Sequence, residues 1–117
     1  MSKSTLRANA DLARFEARGR DCLSGYMGIE MTSLAQGTGS SRMAVKALHF
    51  APNTYLHAAG IIALADSTCG FCTEAHLPKG ATSFTTVEFK SNHLSTVRSD
   101  VVTCVATAVH LGKSTQV

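Results

Sequence analysis

The sequence predicts an α+β domain in which an antiparallel sheet wraps around one long buried helix. Residues 56–72 (LHAAGIIALADSTCGFC) are almost wholly apolar, which is expected of a helix covered on nearly every side. Segments before and after this helix alternate apolar with polar residues, as half-buried strands do. The chain has 117 residues, of which 44% are hydrophobic and 16% charged. This composition predicts one small globular domain over residues 1–117.

The first part of the chain predicts a helix followed by a hairpin. Residues 4–21 carry an apolar stripe of helical spacing, so we expect a lead-in helix within residues 1–23. Two alternating segments follow, one around Ile29 and one around Val45. The polar, glycine-rich tract 36–41 lies between them and predicts the turn of a hairpin.

The second part of the chain predicts the long helix and further strands. A loop is expected at Pro52 and Asn53, and the helix is expected to end near residue 75, before the Pro78-Lys79-Gly80 breaker. Alternating or β-branched residues then predict three more strands. These strands are expected at residues 85–90, at 101–109 and, as the beginning of a fifth strand, at 113–117.

Charge and hydropathy argue against nucleic acid and membrane as partners. The net charge is +3, with scattered Lys and Arg and no Trp, so the chain lacks a basic run with an aromatic platform. The apolar run 56–72 is slightly shorter than a membrane-spanning helix and contains both His57 and Asp66. The N-terminal arginines alternate with acidic residues, unlike a transit peptide. We therefore expect a cytoplasmic protein.

The chain has four cysteines, and two of them form the motif Cys69-Gly-Phe-Cys72. Such a pair can be a redox motif or half of a zinc site. No second pair exists, and His76 alone would leave a zinc site one ligand short. The motif also lies inside the predicted helix, not at its N-terminus. We therefore interpret the cysteines as small, buried apolar side chains and predict no metal site.

Asp66 is the one carboxylate inside the apolar run. An ionised carboxylate among apolar neighbours is costly unless it is paired or used in chemistry. Asp66 is therefore the main candidate for a functional residue. The alternative interpretation is a structural carboxylate capped by the hydroxyl of Ser67 or Thr68.

The combination of these motifs resembles the hotdog-fold acyl-CoA thioesterases, in the branch of the phenylacetate-pathway and 4-hydroxybenzoyl-CoA enzymes. The family has a His-Gly-Gly sequence with an Asp or Glu nine positions after the His, and His57 and Asp66 keep that spacing. The Thr-Thr-Val-Glu-Phe strand at 85–89 and the tract 109–113 also match. The resemblance covers residues 24–117 and implies a hotdog core over that range.

The resemblance implies a role for four residues. Asp66 matches the carboxylate that attacks the thioester carbonyl or activates water. Ala58 matches the residue whose backbone N–H polarises the thioester oxygen. His57 matches a residue that supports this corner, and Thr86 matches a hydroxyl that positions the nucleophile. In the family the carboxylate of one subunit faces the helix start of another, which implies a homodimer or homotetramer.

The resemblance also implies an acyl-CoA or aryl-CoA substrate and neither a metal nor an organic cofactor. Three basic residues flank strands that border the family's ligand groove and are candidates for binding the CoA phosphates. They are Lys90, Arg98 and Lys113. Their alternative interpretation is that of ordinary solvated surface charges.

The sequence departs from the family pattern in three places. The family often has an Asn or Gln before the His, and Asn53 lies about two positions too close to His57 to match it. Ala58-Ala59 replaces the glycine pair, which favours, as an alternative function, a non-catalytic acyl-CoA binder. Family members also continue beyond the position of Val117, so the C-terminal strands are expected to be incomplete. A hotdog hydratase or dehydratase is a further alternative, although its His-Phe-x-Gly motif does not occur here.

Overall fold

The computed structural model describes residues 4–117 as an α+β domain, which confirms the predicted fold class. A long helix lies on a three-stranded antiparallel sheet of strand order β1-β2-β3. In chain order, the elements are α1 (Leu12–Gly19), α2 (Leu23–Met27), β1 (Ile29–Ala35), β2 (Thr38–Ala44), a 3-10 turn (Ala47–His49), α3 (Ala58–Ala75) and β3 (Val101–Thr107).

The lead-in helix is shorter than predicted, and a second helix follows it. The carboxylate of Asp11 accepts a hydrogen bond from the Arg14 N–H at 2.7 Å and so caps α1 at residue 12. The prediction of one helix from residue 4 to 21 is therefore wrong at both ends. The short helix α2 was missed, and it ends at Gly28, whose φ of +77° is a left-handed conformation that favours glycine. Residues 1–3 of the predicted lead-in lie outside the described residues.

The hairpin forms as predicted, but its turn is tighter. Only Gln36 and Gly37 connect β1 to β2, and Gly37 has a φ of +73°. The prediction of a turn over residues 36–41 is wrong in extent, because Gly39, Ser40 and Ser41 belong to β2 and pair with β1. Small polar residues favour turns locally, yet here they form the strand on which α3 packs.

Small residues on β2 let α3 approach the sheet closely. A Cβ on Gly39 would lie 2.5 Å from the Cys72 sulfur, so only glycine fits there without a shift. Two residues along the strand, the Ser41 and Thr68 hydroxyls share a buried hydrogen bond of 2.5 Å. The apolar core continues from this contact and consists of Ile29, Met43, Leu56 and Leu64.

The chain beyond α3 differs most from the prediction. Residues 82–97, called the extended segment below, belong to no strand, so the predicted strand 85–90 is absent from the sheet. The prediction of a long fourth strand is wrong at one end, since β3 stops at Thr107. The predicted fifth strand at 113–117 is reduced to one isolated bridge between Leu111 and Gln116. Among residues 4–117, no helix is both long and apolar enough to cross a membrane.

Candidate active site

Asp66 lies on an exposed edge of α3. Leu64 and Thr68 face the sheet and are buried, whereas Ile62, Asp66 and Cys69 form a line of exposed residues at helical spacing. Ile62 on this edge is 37% exposed. The expectation that α3 is covered on nearly every side is therefore wrong for this edge, because the three-stranded sheet covers only the opposite face.

A threonine hydroxyl holds the Asp66 carboxylate. Thr86 Oγ1 donates a hydrogen bond to Asp66 Oδ1 at 3.2 Å. The extended segment runs alongside α3 here, with Phe84 packed against Gly70 and Thr86 beside Asp66. The structure thus brings together two of the residues singled out from the sequence. Neither Ser67 nor Thr68 caps Asp66; the Thr68 hydroxyl instead donates to the Leu64 carbonyl at 2.6 Å.

The start of α3 presents a free backbone donor. His57 is the N-cap, and its Nδ1 accepts the Ala59 N–H at 2.9 Å. The His57 N–H donates to the His49 carbonyl, also at 2.9 Å. Between these two, the N–H of Ala58 has no hydrogen-bond partner within residues 4–117. Helix starts carry unsatisfied N–H groups and a partial positive charge, so this donor suits an oxygen that becomes negative.

The two halves of the candidate site lie far apart in one chain. Asp66 follows Ala58 by eight residues, which corresponds to roughly 12 Å along an α-helix, or a little over two turns. The structure therefore brings Asp66 together with Thr86 and His57 together with Ala58, but the carboxylate and the free N–H are about two helical turns apart on α3.

The three basic candidates are dispersed. The Arg98 guanidinium lies 4.0 Å above the Tyr55 ring, near the start of α3, in a cation–π contact. Lys90 is exposed on the extended segment. Lys113 lies beyond the other end of α3, where it lines an open groove of about 530 Å³ together with Lys79. Arg98 is therefore the basic candidate near the free Ala58 N–H.

The thiols beside Asp66 are held in the neutral form. Burial raises the pKa of the Cys72 thiol to about 11, with further increases from Cys69 and Cys104. Partial burial also raises the pKa of the Cys69 thiol, as do Cys104 and the negative charge of Asp66. All four cysteines are free, and Cys69 is exposed, which corrects the expectation that it is buried. Neutral thiols are poor nucleophiles and metal ligands.

We expect Cys72 to react slowly with iodoacetamide in the folded protein. At pH 8 the raised pKa keeps this thiol protonated, whereas unfolding returns it to an ordinary pKa and increases the thiolate fraction. Alkylation at pH 8 should therefore be at least about tenfold slower in the native protein than in urea. Peptide mass spectrometry measures both rates, and equal rates would contradict the assigned environment.

The sequence interpretation missed His49. Its side chain is 2% exposed, and its backbone carbonyl accepts the N–H of His57. A histidine between Leu48 and Phe50 is an available signal, since a ring nitrogen in an apolar tract needs a specific partner. No local pattern indicates that this partner belongs to the corner supporting α3.

Comparison with known proteins identifies the family of this chain. The model of the Thioesterase superfamily matches residues 53–117, which include α3 with His57 and Asp66. The 1,4-dihydroxy-2-naphthoyl-CoA hydrolase of Listeria monocytogenes is 31% identical over 91 residues. That match spans 78% of this chain and 73% of the hydrolase.

Two solved structures are similar to the fold. A mutant of thioesterase PA1618 from Pseudomonas aeruginosa superposes with a TM-score of 0.88 at 27% identity, covering 95% of this chain and 80% of that one. The E. coli PaaI protein from the phenylacetic acid degradation operon shares the fold at a TM-score of 0.62 and 20% identity, covering 88% and 77%. These likenesses confirm the resemblance to hotdog thioesterases. The chain belongs to the Thioesterase superfamily, an enzyme family of thioester hydrolases.

Proposed function

We propose that this protein hydrolyses acyl-CoA or aryl-CoA thioesters, with Asp66 as nucleophile or general base and the Ala58 N–H as oxyanion donor. One observation carries the proposal. The exposed Asp66 carboxylate accepts a hydrogen bond from Thr86, and the helix that carries Asp66 also begins with the free N–H of Ala58. The family and the naphthoyl-CoA hydrolase among its relatives support thioester cleavage, and the latter favours an aromatic acyl group.

The proposed chemistry needs only the thioester and water. Asp66 either attacks the thioester carbon, expels the CoA thiolate and leaves an anhydride for water to cleave, or takes a proton from an attacking water. In both routes the carbonyl oxygen gains negative charge. The Ala58 N–H stabilises that charge, because the donor is fixed before the reaction begins. Neither route uses a metal or an organic cofactor.

The site is proposed to form between two copies of the chain. In residues 82–96, no backbone group pairs with another backbone group of the part of the chain that the structure describes. Val87 there is 92% exposed. An unpaired extended segment readily pairs with another strand. Antiparallel pairing of this segment with its own copy is isologous and gives a two-fold dimer. Such a dimer can place Asp66 of one copy opposite Ala58 of the other.

Arg98, stacked on Tyr55 near the start of α3, is proposed to bind a CoA phosphate, with Lys90 and Lys113 as further candidates. Four free thiols are typical of a reducing compartment, which favours the cytoplasm. A second copy of this chain is the proposed partner, in a homodimer or a homotetramer, with no role for nucleic acid or membrane.

The direct test is a panel of aliphatic and aromatic acyl-CoAs, with release of CoA followed by a chromogenic thiol reagent. We expect steady CoA release, with the highest kcat/KM for one acyl class. Binding of every thioester without thiol release would favour the non-catalytic binder instead. Hydration of crotonyl-CoA without thiol release would favour a hydratase.

We expect proline in the extended segment to disrupt the dimer. Successive N–H groups of a strand point to opposite edges, so Val87→Pro and Glu88→Pro together cover both edges. At least one of them should shift sedimentation from a dimer toward the 12.3 kDa monomer and lower activity in parallel. Val87→Thr and Glu88→Thr keep the N–H groups and serve as matched controls. A fully active 12.3 kDa wild-type monomer would contradict the shared site.

A further inference from the structure

We infer that His49 is a positioning residue that fixes where α3 begins and thereby aims the Ala58 N–H at the substrate carbonyl. His49 lies in the 3-10 turn beneath the start of α3 and is 2% exposed. The inference rests on the proposed function, because it assigns a purpose to the direction of the oxyanion donor. It concerns a residue that does not itself reach the substrate.

Both ring nitrogens of His49 form hydrogen bonds with backbone groups. Nδ1 accepts the Lys46 N–H at 3.0 Å, and Nε2 lies 2.8 Å from the Met27 carbonyl oxygen. A backbone N–H can only donate, so Nδ1 carries no proton, and Nε2 carries the proton and donates to Met27. The neutral ring therefore ties the end of α2 to the turn that precedes α3.

The backbone of His49 is hydrogen-bonded to the start of α3. Its carbonyl oxygen accepts the His57 N–H at 2.9 Å. The intervening loop is closed by a bridge between Phe50 and Leu56 and by a 2.8 Å hydrogen bond from the Ala51 N–H to the Tyr55 carbonyl. Since the His57 N–H is used, the next donor, that of Ala58, is the first free one.

A histidine at the other end of α3 also forms hydrogen bonds with both of its ring nitrogens. His76 is 1% exposed, its Nε2 accepts the Gly37 N–H at 2.9 Å, and its Nδ1 lies 2.7 Å from the Cys72 carbonyl oxygen. His76 is the C-cap of α3, at the end opposite Ala58. It is therefore a matched control: both rings are buried and both bond two backbone groups, but only His49 adjoins the proposed oxyanion donor.

The experiment compares His49→Gln and His49→Asn with His76→Gln in the full-length protein. Small misplacements of a catalytic group can lower rates by up to about a hundredfold, so we expect kcat to fall roughly tenfold or more in the His49 variants. KM should change by less than about twofold, because substrate binding is retained. His76→Gln should lose about as much stability as the His49 variants but keep the kcat of the wild type.

A spectroscopic measurement separates positioning from general destabilisation. In protein labelled with ¹⁵N-alanine, the Ala58 amide resonance should shift in the His49 variants and stay in place in His76→Gln. His49→Asn retains an acceptor for the Lys46 N–H. If His49→Gln does not fold, kcat and the Ala58 resonance are measured in His49→Asn.

An unchanged kcat and Ala58 resonance in a folded His49 variant would overturn the inference. That result would leave the proposed function intact as long as wild-type protein hydrolyses thioesters. Inactive wild-type protein would instead reject the proposed function, so the two failures are distinguishable.

Discussion

Asp66→Asn is expected to lower kcat for thioester hydrolysis at least about a hundredfold, the low end for losing positioned acid–base catalysis. Asparagine keeps the size of the side chain and an oxygen that can accept from Thr86, but it has no negative charge and no basicity. The KM should change little, because CoA recognition is assigned to other residues. Steady-state kinetics on the best substrate of the acyl-CoA panel measures both constants.

The same substitution should leave stability almost unchanged. Asp66 is exposed, and substitutions at exposed positions usually alter the free energy of unfolding by no more than about 0.5 kcal/mol. Asp100→Asn is a matched control, because Asp100 is also exposed and its φ of +72° is a conformation that asparagine tolerates. The control should retain full activity.

Persistent activity in Asp66→Asn, combined with easier unfolding, would identify Asp66 as a structural residue. The thioesterase mechanism would then lose its nucleophile or base. Equal losses of activity in Asp66→Asn and Asp100→Asn would likewise argue against a specific role for Asp66.

Ala58→Pro is expected to have the second large effect, a loss of about a hundredfold or more in kcat, as for removal of one oxyanion donor. Ala58 is the first residue of α3, where proline is well tolerated because its missing N–H has no partner within the helix. His57 before it has a φ of −67° and a ψ of 140°, an extended conformation compatible with a following proline. The substitution therefore removes the donor and retains the helix.

Circular dichroism and thermal unfolding check that Ala58→Pro folds like wild type. Ala59→Pro is not a suitable control, because the Ala59 N–H donates to the His57 ring and proline would remove that capping hydrogen bond. Ala58→Gly keeps the N–H and restores the glycine found in the family, so it should be at least as active as wild type. An Ala58→Pro variant with normal kcat would exclude this N–H as the oxyanion donor.

Mixing the two inactive variants tests whether two copies share the site. When a dimer exchanges subunits, about half of the dimers contain one chain of each variant. One of the two shared sites in each mixed dimer is intact, so about a quarter of wild-type activity should return. A site contained within one chain restores none. Refolding equal amounts of Asp66→Asn and Ala58→Pro together, followed by the thiol assay, measures the difference.

Much of the candidate site could be predicted from sequence because its residues lie close along the chain. The nine-residue spacing of His57 and Asp66 and the start of α3 near residue 57 are local properties of one apolar segment. The loop at Pro52 and Asn53 follows from equally local preferences. The contact of Thr86 with Asp66 was expected only from the family resemblance, since 20 residues separate the two.

Other features depend on contacts that no local pattern contains. The tract 36–41 resembles a turn, but Gly39 and Ser41 lie in β2 on the face that α3 approaches. Residues 85–90 alternate like a strand, yet a strand exists only where neighbouring backbone groups pair with it. His49 appears ordinary in the sequence, and its role follows from three backbone groups brought to it from residues 27, 46 and 57.

The sequence by itself determined the α+β class and the long helix α3, because the apolar run 56–72 and the alternation of the segments around it are encoded locally. Its resemblance to the hotdog thioesterases indicated the family. Only the tertiary structure decided that one edge of α3 is exposed, that residues 82–96 pass beside Asp66 with no backbone partner in the described part of the chain, and that His49 supports the start of α3. The physical reason is that hydrogen bonding and burial between distant residues depend on the whole packed chain. Propensity acts only between near neighbours.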